Sequence, residues 1–329
     1  MRVLVAPDKF RGTATAAEAA TALAEGCREL GHDVVLQPLA DGGEGTLEVL
    51  GGPNRTTTVT GPLGDPVEAP WRLAKPDAVI EMAAASGLEL VGGAEGNDPV
   101  AASTYGTGEL IAAALDAGAR RIVVGVGGSA TTDGGLGALR AIYPLHRLRG
   151  VEIEVACDVR IRFTEAARVF APQKGASPAQ VELLERRLER LVQVYREEYG
   201  VDVSELPGGG AAGGLAGGLA AIGATLVPGF DLVAEAVELA EQVEAADLVI
   251  TGEGFLDDES FDGKVVGGVV EMARELRTPV VAVVGECVED QPGRVPVVSL
   301  VESFGRERAL GDTLACLRSA AAIALELAG

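Results

Sequence analysis

The sequence predicts an α/β protein of two domains, one interrupted by the other, and three observations carry that reading. Short apolar runs alternate with helix-spaced segments, as in RVLVA at 2–6, the stretch 14–30, and DVVLQ at 33–37. Strands of a parallel sheet are buried on both faces and read as such runs. Aromatics are only 4% of the residues while glycine reaches 45, so the interior must be built from Ala, Val and Leu around many tight turns; strands alternating with helices suit that composition better than a sandwich. The length of 329 residues exceeds what a single core usually supports.

Taken in order, 2–6 reads as a strand closed by Pro7, and Ala19, Leu23, Cys27 and Leu30 recur at helical spacing before Gly31 stops the helix. Residues 33–37 complete a β-α-β opening, whose crossover is right-handed. The segment 56–73 alternates and is broken by Gly and Pro, as a hairpin would be. A strand follows at 77–83, a loop running into a helix at 103–119, and a buried strand at 121–127. Residues 177–199 form the longest helical stretch, with Val181, Leu184, Leu188, Leu191 and Val192 on one face. The Gly-rich stretch 207–224 carries Leu215, Leu219 and Ile222 at helical spacing, which predicts a packed helix after a Gly turn. Three more apolar strands occupy 247–254, 278–286 and 295–302, with helices near 264–276 and 311–328. These resume the opening pattern, so the expected first domain is discontinuous, residues 1–60 and 246–329, with residues 61–245 an inserted mixed α/β domain.

Formal net charge is −22, from 49 acidic against 27 basic residues. Such a chain repels nucleic acid and anionic lipid and has no basic stripe, so nucleic acid and membranes are excluded as partners. A site for phosphate would have to gather its few Lys and Arg, or use backbone N–H groups and a metal ion. Cys27, Cys157, Cys287 and Cys316 lie far apart, and His32 and His146 complete no zinc pattern with them. The thiols are expected to be idle in a reducing compartment. The N-terminus MRVLVAPDKF lacks a signal core, and no run approaches the roughly 20 apolar residues of a membrane helix. The expected location is the cytoplasm, with a homodimer left open.

Polar motifs fall repeatedly where strands end, the place where parallel sheets bind ligands. APDKFRGT (6–13) sets Asp8, Lys9 and Arg11 ahead of a helix, and LADGGEGT (39–46) holds Asp41 and Glu44 among glycines. Acidic groups there can hold Mg²⁺ or accept a hydroxyl proton; the plain alternative is a capped turn with solvated charge. GVGGSATTDGG (125–135), with Ser129, Thr131 and Thr132 between clustered glycines, has the makings of an anion cradle. It is neither a P-loop nor a dinucleotide fingerprint. VACDV ends a strand with Asp158, APQKGA carries Lys174, and TGEGFLDDES with DGK carries Glu253 and Lys264. In so acidic a chain these lysines are candidates for phosphate, although each alone is more often a surface charge.

In this order PDKFRGT, ADGGEGT, VTGPLGDPVEA, STYGTGEL, VGVGGSATTDGG, ACDV, PQKGA, AAGGL, DLVITGEG and GK resemble the bacterial glycerate kinase family of the glycerate 2-kinase type. The likeness runs from the first strand to the last helix. It implies one flavodoxin-like domain and one related to restriction-endonuclease folds, with ATP and Mg²⁺ used to convert D-glycerate to 2-phosphoglycerate. The chain departs from the family at four places. Lys9, Arg11 and Thr13 stand where the opening usually reads PDSFKGS, and only RAIYPLHRLRGVEIEV separates GGLGAL from ACDV. RIRFTEAA at 160–167 replaces a longer DNPLLGPxGA stretch, and FLDDESFDGK stands for SLDxQTxxGK.

Phosphoryl transfer asks a protein mainly to position reactants and neutralise charge. The expected roles follow. Gly127, Gly128, Ser129 and Thr131 hold an anionic part of ATP or glycerate, and Lys174 and Lys264 balance phosphate. Lys9 and Arg11 hold the glycerate carboxylate, and Asp41 and Glu253 hold Mg²⁺. Asp158 is first choice for the base, with Asp133 and Asp8 next. Two alternatives remain: a kinase for another small hydroxy acid, and a paralogue that binds ligand without turnover.

Overall fold

A computed structural model of the chain describes residues 1–10, 12–288 and 294–328. The strands among them are β1 (Arg2–Pro7), β2 (Asp33–Leu36), β3 (Arg55–Thr60), β4 (Pro66–Ala74), β5 (Asp77–Glu81), β6 (Arg121–Gly125), β7 (Glu152–Ala156), β8 (Thr225–Val227), β9 (Leu248–Leu256), β10 (Val280–Cys287) and β11 (Val297–Ser299). The chain divides into two compact units, Met1–Asp41 with Gly229–Gly329, and Gly42–Pro228.

The first unit is a parallel sheet in the order β2-β1-β9-β10-β11. Counted within the unit this is 2-1-3-4-5, the flavodoxin-like order. Alternate residues of one strand serve opposite faces. Val281 and Val283 join the core of helices Ala16–Glu29 and Thr313–Ala328, while Ala282 and Val284 meet Val266 and Val270 of helix Val265–Leu276. The first of these helices starts at Thr15, whose hydroxyl accepts from the Glu18 N–H at 3.2 Å while the Glu18 carboxylate accepts from the Thr15 N–H at 2.9 Å. This reciprocal cap satisfies donors the helix would leave open. From β1 the chain crosses to β2 on one side, and from β9 to β10 on the other. The reversal leaves a crevice at the carboxyl ends of β1 and β9, where such sheets bind ligands.

The second unit has a mixed sheet, β3-β4-β5-β6-β7-β8, antiparallel through β5 and parallel beyond it. Ala69, Trp71 and Leu73 of β4 alternate into its core, and the Trp71 indole N–H donates to Thr57 Oγ1 at 2.9 Å. Helix Pro178–Tyr199 has the start its sequence prescribes, Ser177 capped reciprocally by Gln180 with proline at the first turn, and it ends at Gly200 with φ +73°. Its buried stripe is Leu184, Leu188, Val192 and Tyr195, with Val181 and Leu191 half-buried at the core edge. Helix Ala211–Ala221 opens with three residues in the left-handed conformation, Ala212, Gly213 and Gly214.

The dividing points fall after Asp41 and Pro228, where the sequence reading set them after 60 and 245. Residues 55–60 belong to the second unit because β3 pairs with β4. Residues 229–245 belong to the first because helices Gly229–Ala236 and Leu239–Glu244 pack on helix Val265–Leu276. β11 is shorter than the expected 295–302, since Ser299 instead caps helix Leu300–Phe304. The four cysteines are free, and among the described residues no helix is long and apolar enough to cross a membrane.

Candidate active-site clusters

In the first unit the crevice collects five of the expected residues. The Asp8 N–H donates to the Gly252 carbonyl at 2.8 Å, which extends the β1–β9 pairing, and the residue is only 7% exposed. The Lys9 N–H donates to Asp8 Oδ1 at 2.7 Å, and the Lys9 ammonium stands 3.9 Å from Asp8 Oδ1 and 3.8 Å from Asp41 Oδ1. Glu253, on β9, has a buried Oε1 with no hydrogen-bond partner among the described residues. Lys264 precedes helix Val265–Leu276 with its ammonium 3.6 Å from Glu259. Asp8, Lys9, Asp41, Glu253 and Lys264 line one cleft of ≈ 560 Å³.

Burial and like charge dominate this cleft. Burial lifts Asp8 from 3.8 to about 6, opposed by the Lys9 ammonium and reinforced by Asp41. Burial likewise lifts Glu253 from 4.5 to about 7, with Ser260 opposing and the charge of Asp8 reinforcing. Two acids poised near neutrality in one cleft point to function.

In the second unit the expected anion loop follows β6. Gly127 packs on the neighbouring Gly-rich turn so closely that a β-carbon there would sit 2.9 Å from the Gly43 α-carbon. The Gly128 carbonyl accepts from the Leu88 N–H at 2.9 Å, and the Ala130 N–H donates to the Ser86 carbonyl at 3.0 Å. Gly213 has φ +66° and lies where a β-carbon would be 2.0 Å from the Thr131 carbonyl oxygen, so no other residue fits. The Tyr195 hydroxyl, buried with Phe163 in an edge-on pair, donates to the Gly134 carbonyl at 2.8 Å. The Asn97 amide donates to the carbonyls of Ala130 at 3.0 Å and Lys174 at 2.9 Å.

Three of the expected site residues are held by contacts within the second unit. The Asp133 carboxylate accepts from Thr104 N–H and Oγ1 (both 2.9 Å), Ser103 Oγ (3.4 Å), and the N–H groups of Gly135 (3.0 Å) and Gly137 (3.2 Å). Five donors meet its two oxygens, so the carboxylate expected as a candidate base ties the loop to the start of helix Leu136–Ile142. Lys174 is 3% exposed, and its ammonium donates to Ser129 Oγ at 2.8 Å and the Thr131 carbonyl at 2.6 Å. It supports the loop from within, where the expectation had it facing phosphate. The Thr131 hydroxyl is fully buried and lies 3.5 Å from the Ala212 carbonyl, so that side chain also serves the loop.

Asp158 lies just beyond β7, half-buried, in the second unit, while the acidic cleft belongs to the first. Arg11 lies outside the described residues. The sequence reading missed Asn97, Thr104 and Tyr195, and one of them left a signal: a tyrosine continuing the Leu184–Leu188–Val192 stripe must find a partner for its hydroxyl.

A sequence model of the glycerate kinase family matches residues 3–143 and 144–322. The chain is 39% identical to the glycerate 2-kinase of Escherichia coli (strain K12), over 93% of this chain and 92% of that one. It is 37% identical to the glycerate kinase of Bacillus subtilis (strain 168), over 97% and 98%. A crystal structure described as a putative glycerate kinase 2 from Salmonella typhimurium LT2 superposes with a TM-score of 0.85 at 38% identity, covering 99% of this chain and 98% of that one.

Proposed function

The chain belongs to the glycerate kinase family, and from that premise we propose that it transfers the γ-phosphoryl group of ATP to a hydroxyl of D-glycerate, giving 2-phosphoglycerate. The observation that carries the reading is the cleft at the reversal of the first sheet, where two ammonium groups stand among carboxylates held near neutrality by burial. The hydroxyl oxygen attacks the γ-phosphorus while the bond from that phosphorus to the bridging oxygen breaks. ADP leaves, and the hydroxyl proton needs an acceptor. Asp8 suits that task, because a carboxylate lifted to about 6 is largely ionised at neutral pH yet more basic than a solvated one. Asp158 is the second candidate for this role.

The donor set fits Mg²⁺. Glu253 Oε1 is buried and has no hydrogen-bond partner among the described residues, and the charge of Asp8 raises the affinity of Glu253 for protons as that of Asp41 raises the affinity of Asp8, repulsions that a cation would relieve. Among the described residues no three His, Cys, Asp or Glu gather into a metal cage. Mg²⁺ needs none, since it usually keeps water and phosphate oxygens beside one or two carboxylates. Asp41 and Glu253 would hold it, and when bound it would draw charge from the phosphate oxygens. Lys264, at a helix start beside the cleft, would offset more of that charge, and Lys9 would meet the glycerate carboxylate. The loop of Gly127, Gly128 and Ser129 would take an anionic oxygen.

ADP release from ATP and Mg²⁺ should be fastest with D-glycerate among a panel of small hydroxy acids, and ³¹P NMR should identify the 2-phosphate. Undiminished turnover in excess EDTA would refute the metal, and silence with glycerate would refute the substrate. The replaced segment 160–167 favours a second reading, another hydroxy acid, which the same panel decides.

A further inference from the structure

The Lys174 ammonium is sealed inside the second unit with no carboxylate in contact among the described residues, which is a costly place for a charge. An ammonium only donates. The Ser129 oxygen, in a residue 9% exposed, therefore accepts from Lys174, and its own proton has no acceptor among the described residues. The backbone around it cannot easily turn to meet that proton. The Asn97 amide ties the Ala130 and Lys174 carbonyls, and Asp133 holds the far end of the loop.

Resting on the reading of this loop as an anion site, we propose that Lys174 is a positioning residue whose ammonium fixes the Ser129 hydroxyl as a donor to an anionic oxygen, phosphate or carboxylate, of the bound ligand. The arrangement responds to pH. Burial pushes Lys174 down from 10.5 to about 7, and the charged group that acts on it is Asp133, which opposes the fall. A neutral lysine has a lone pair, so it can accept the Ser129 proton and turn the donor inward. Anion affinity at the loop then falls as pH rises through that range.

Titration calorimetry with ATP and with D-glycerate, each at pH 6 and pH 8.5, tests this on the wild type, Ser129→Ala, Lys174→Met and the double variant. Titration of ATP, Asp8 and Glu253 is common to all four proteins and cancels in the comparison. One ligand should bind the wild type about tenfold more weakly at the higher pH than that common change explains, the lower end for a hydrogen bond to a charged group. Both single variants should bind that ligand weakly without the extra pH dependence, and the double variant no more weakly than either. The ligand that responds identifies whether the anion is phosphate or carboxylate. If Ser129→Ala matches the wild type with both ligands, or the two substitutions add, the proposal is overturned, and the Ser129→Ala arm decides even if Lys174→Met does not fold. A responding ATP arm without turnover of glycerate would refute the proposed substrate alone.

Discussion

The acidic cleft of the first unit and the glycine-rich loop of the second bury charge of opposite sign, and burial moves both toward neutrality. Asp8 and Glu253 rise to about 6 and about 7, while Lys174 falls to about 7. The two regions differ in where the charge points. The carboxylates line an open cleft, with Glu253 Oε1 unpartnered among the described residues, whereas both described hydrogen bonds of the lysine ammonium go to the loop that contains Ser129. A buried charge that faces a cavity can serve a ligand directly, and one that faces its own backbone can only shape the group that does.

The pH dependence of stability separates them. A carboxyl raised in the folded state stabilises the fold fully below its unfolded value and loses that contribution as pH rises through its folded value. For Glu253 the loss runs from 4.5 to about 7, and for Asp8 from 3.8 to about 6. A lysine lowered in the folded state works the other way round: the folded protein binds fewer protons than the unfolded chain between about 7 and 10.5, so stability from this group grows with pH across that window.

The largest expected effect is on turnover. Asp8→Asn should lower kcat by about 100- to 10,000-fold, the usual worth of a general base. A larger fall from Asp158→Asn, measured in parallel, would move the base into the second unit. Next, Glu253→Gln should raise the Mg²⁺ concentration needed for half-maximal rate, and it should stabilise the metal-free fold at pH 8 by up to about 3 kcal/mol while changing little at pH 4. Thermal melts at both pH values check this, and equal melting at pH 8 would mean that the buried carboxylate carries no strain. Gly213→Ala should cost about 1–3 kcal/mol by forcing a β-carbon onto the Thr131 carbonyl, and it should weaken anion binding at the loop while sparing the acidic cleft. The smallest effect on stability belongs to Lys264→Ala. Its ion pair with the largely exposed Glu259 is worth about 0–1 kcal/mol, so melting should hardly move while KM for ATP rises. An unchanged KM would make Lys264 a surface charge.

The strands and most helices were legible because their signals are local. Continuous apolar runs marked β1, β9 and β10, and Ser177, Pro178 and Gly200 bracketed the longest helix. The residues of the acidic cleft were legible as well, since Asp8, Asp41 and Glu253 each stand in a glycine- or proline-marked turn or strand end. Roles were less so. Asp133 and Lys174 carry the residue types of catalysis and phosphate binding, and nothing in the local sequence says that five donors enclose one and two acceptors the other.

By itself the sequence determined the alternation of strand and helix, the caps, the acidic balance and the turns able to approach a ligand, because each depends on neighbours within about one helical turn or one strand. Only the tertiary structure decided the strand order β2-β1-β9-β10-β11, and with it the crevice that unites residues 8, 41, 253 and 264. It also decided which charges are desolvated and toward what they point. Charge energetics depend on burial and on partners distant in the chain, such as Ser129 for Lys174, 45 residues away.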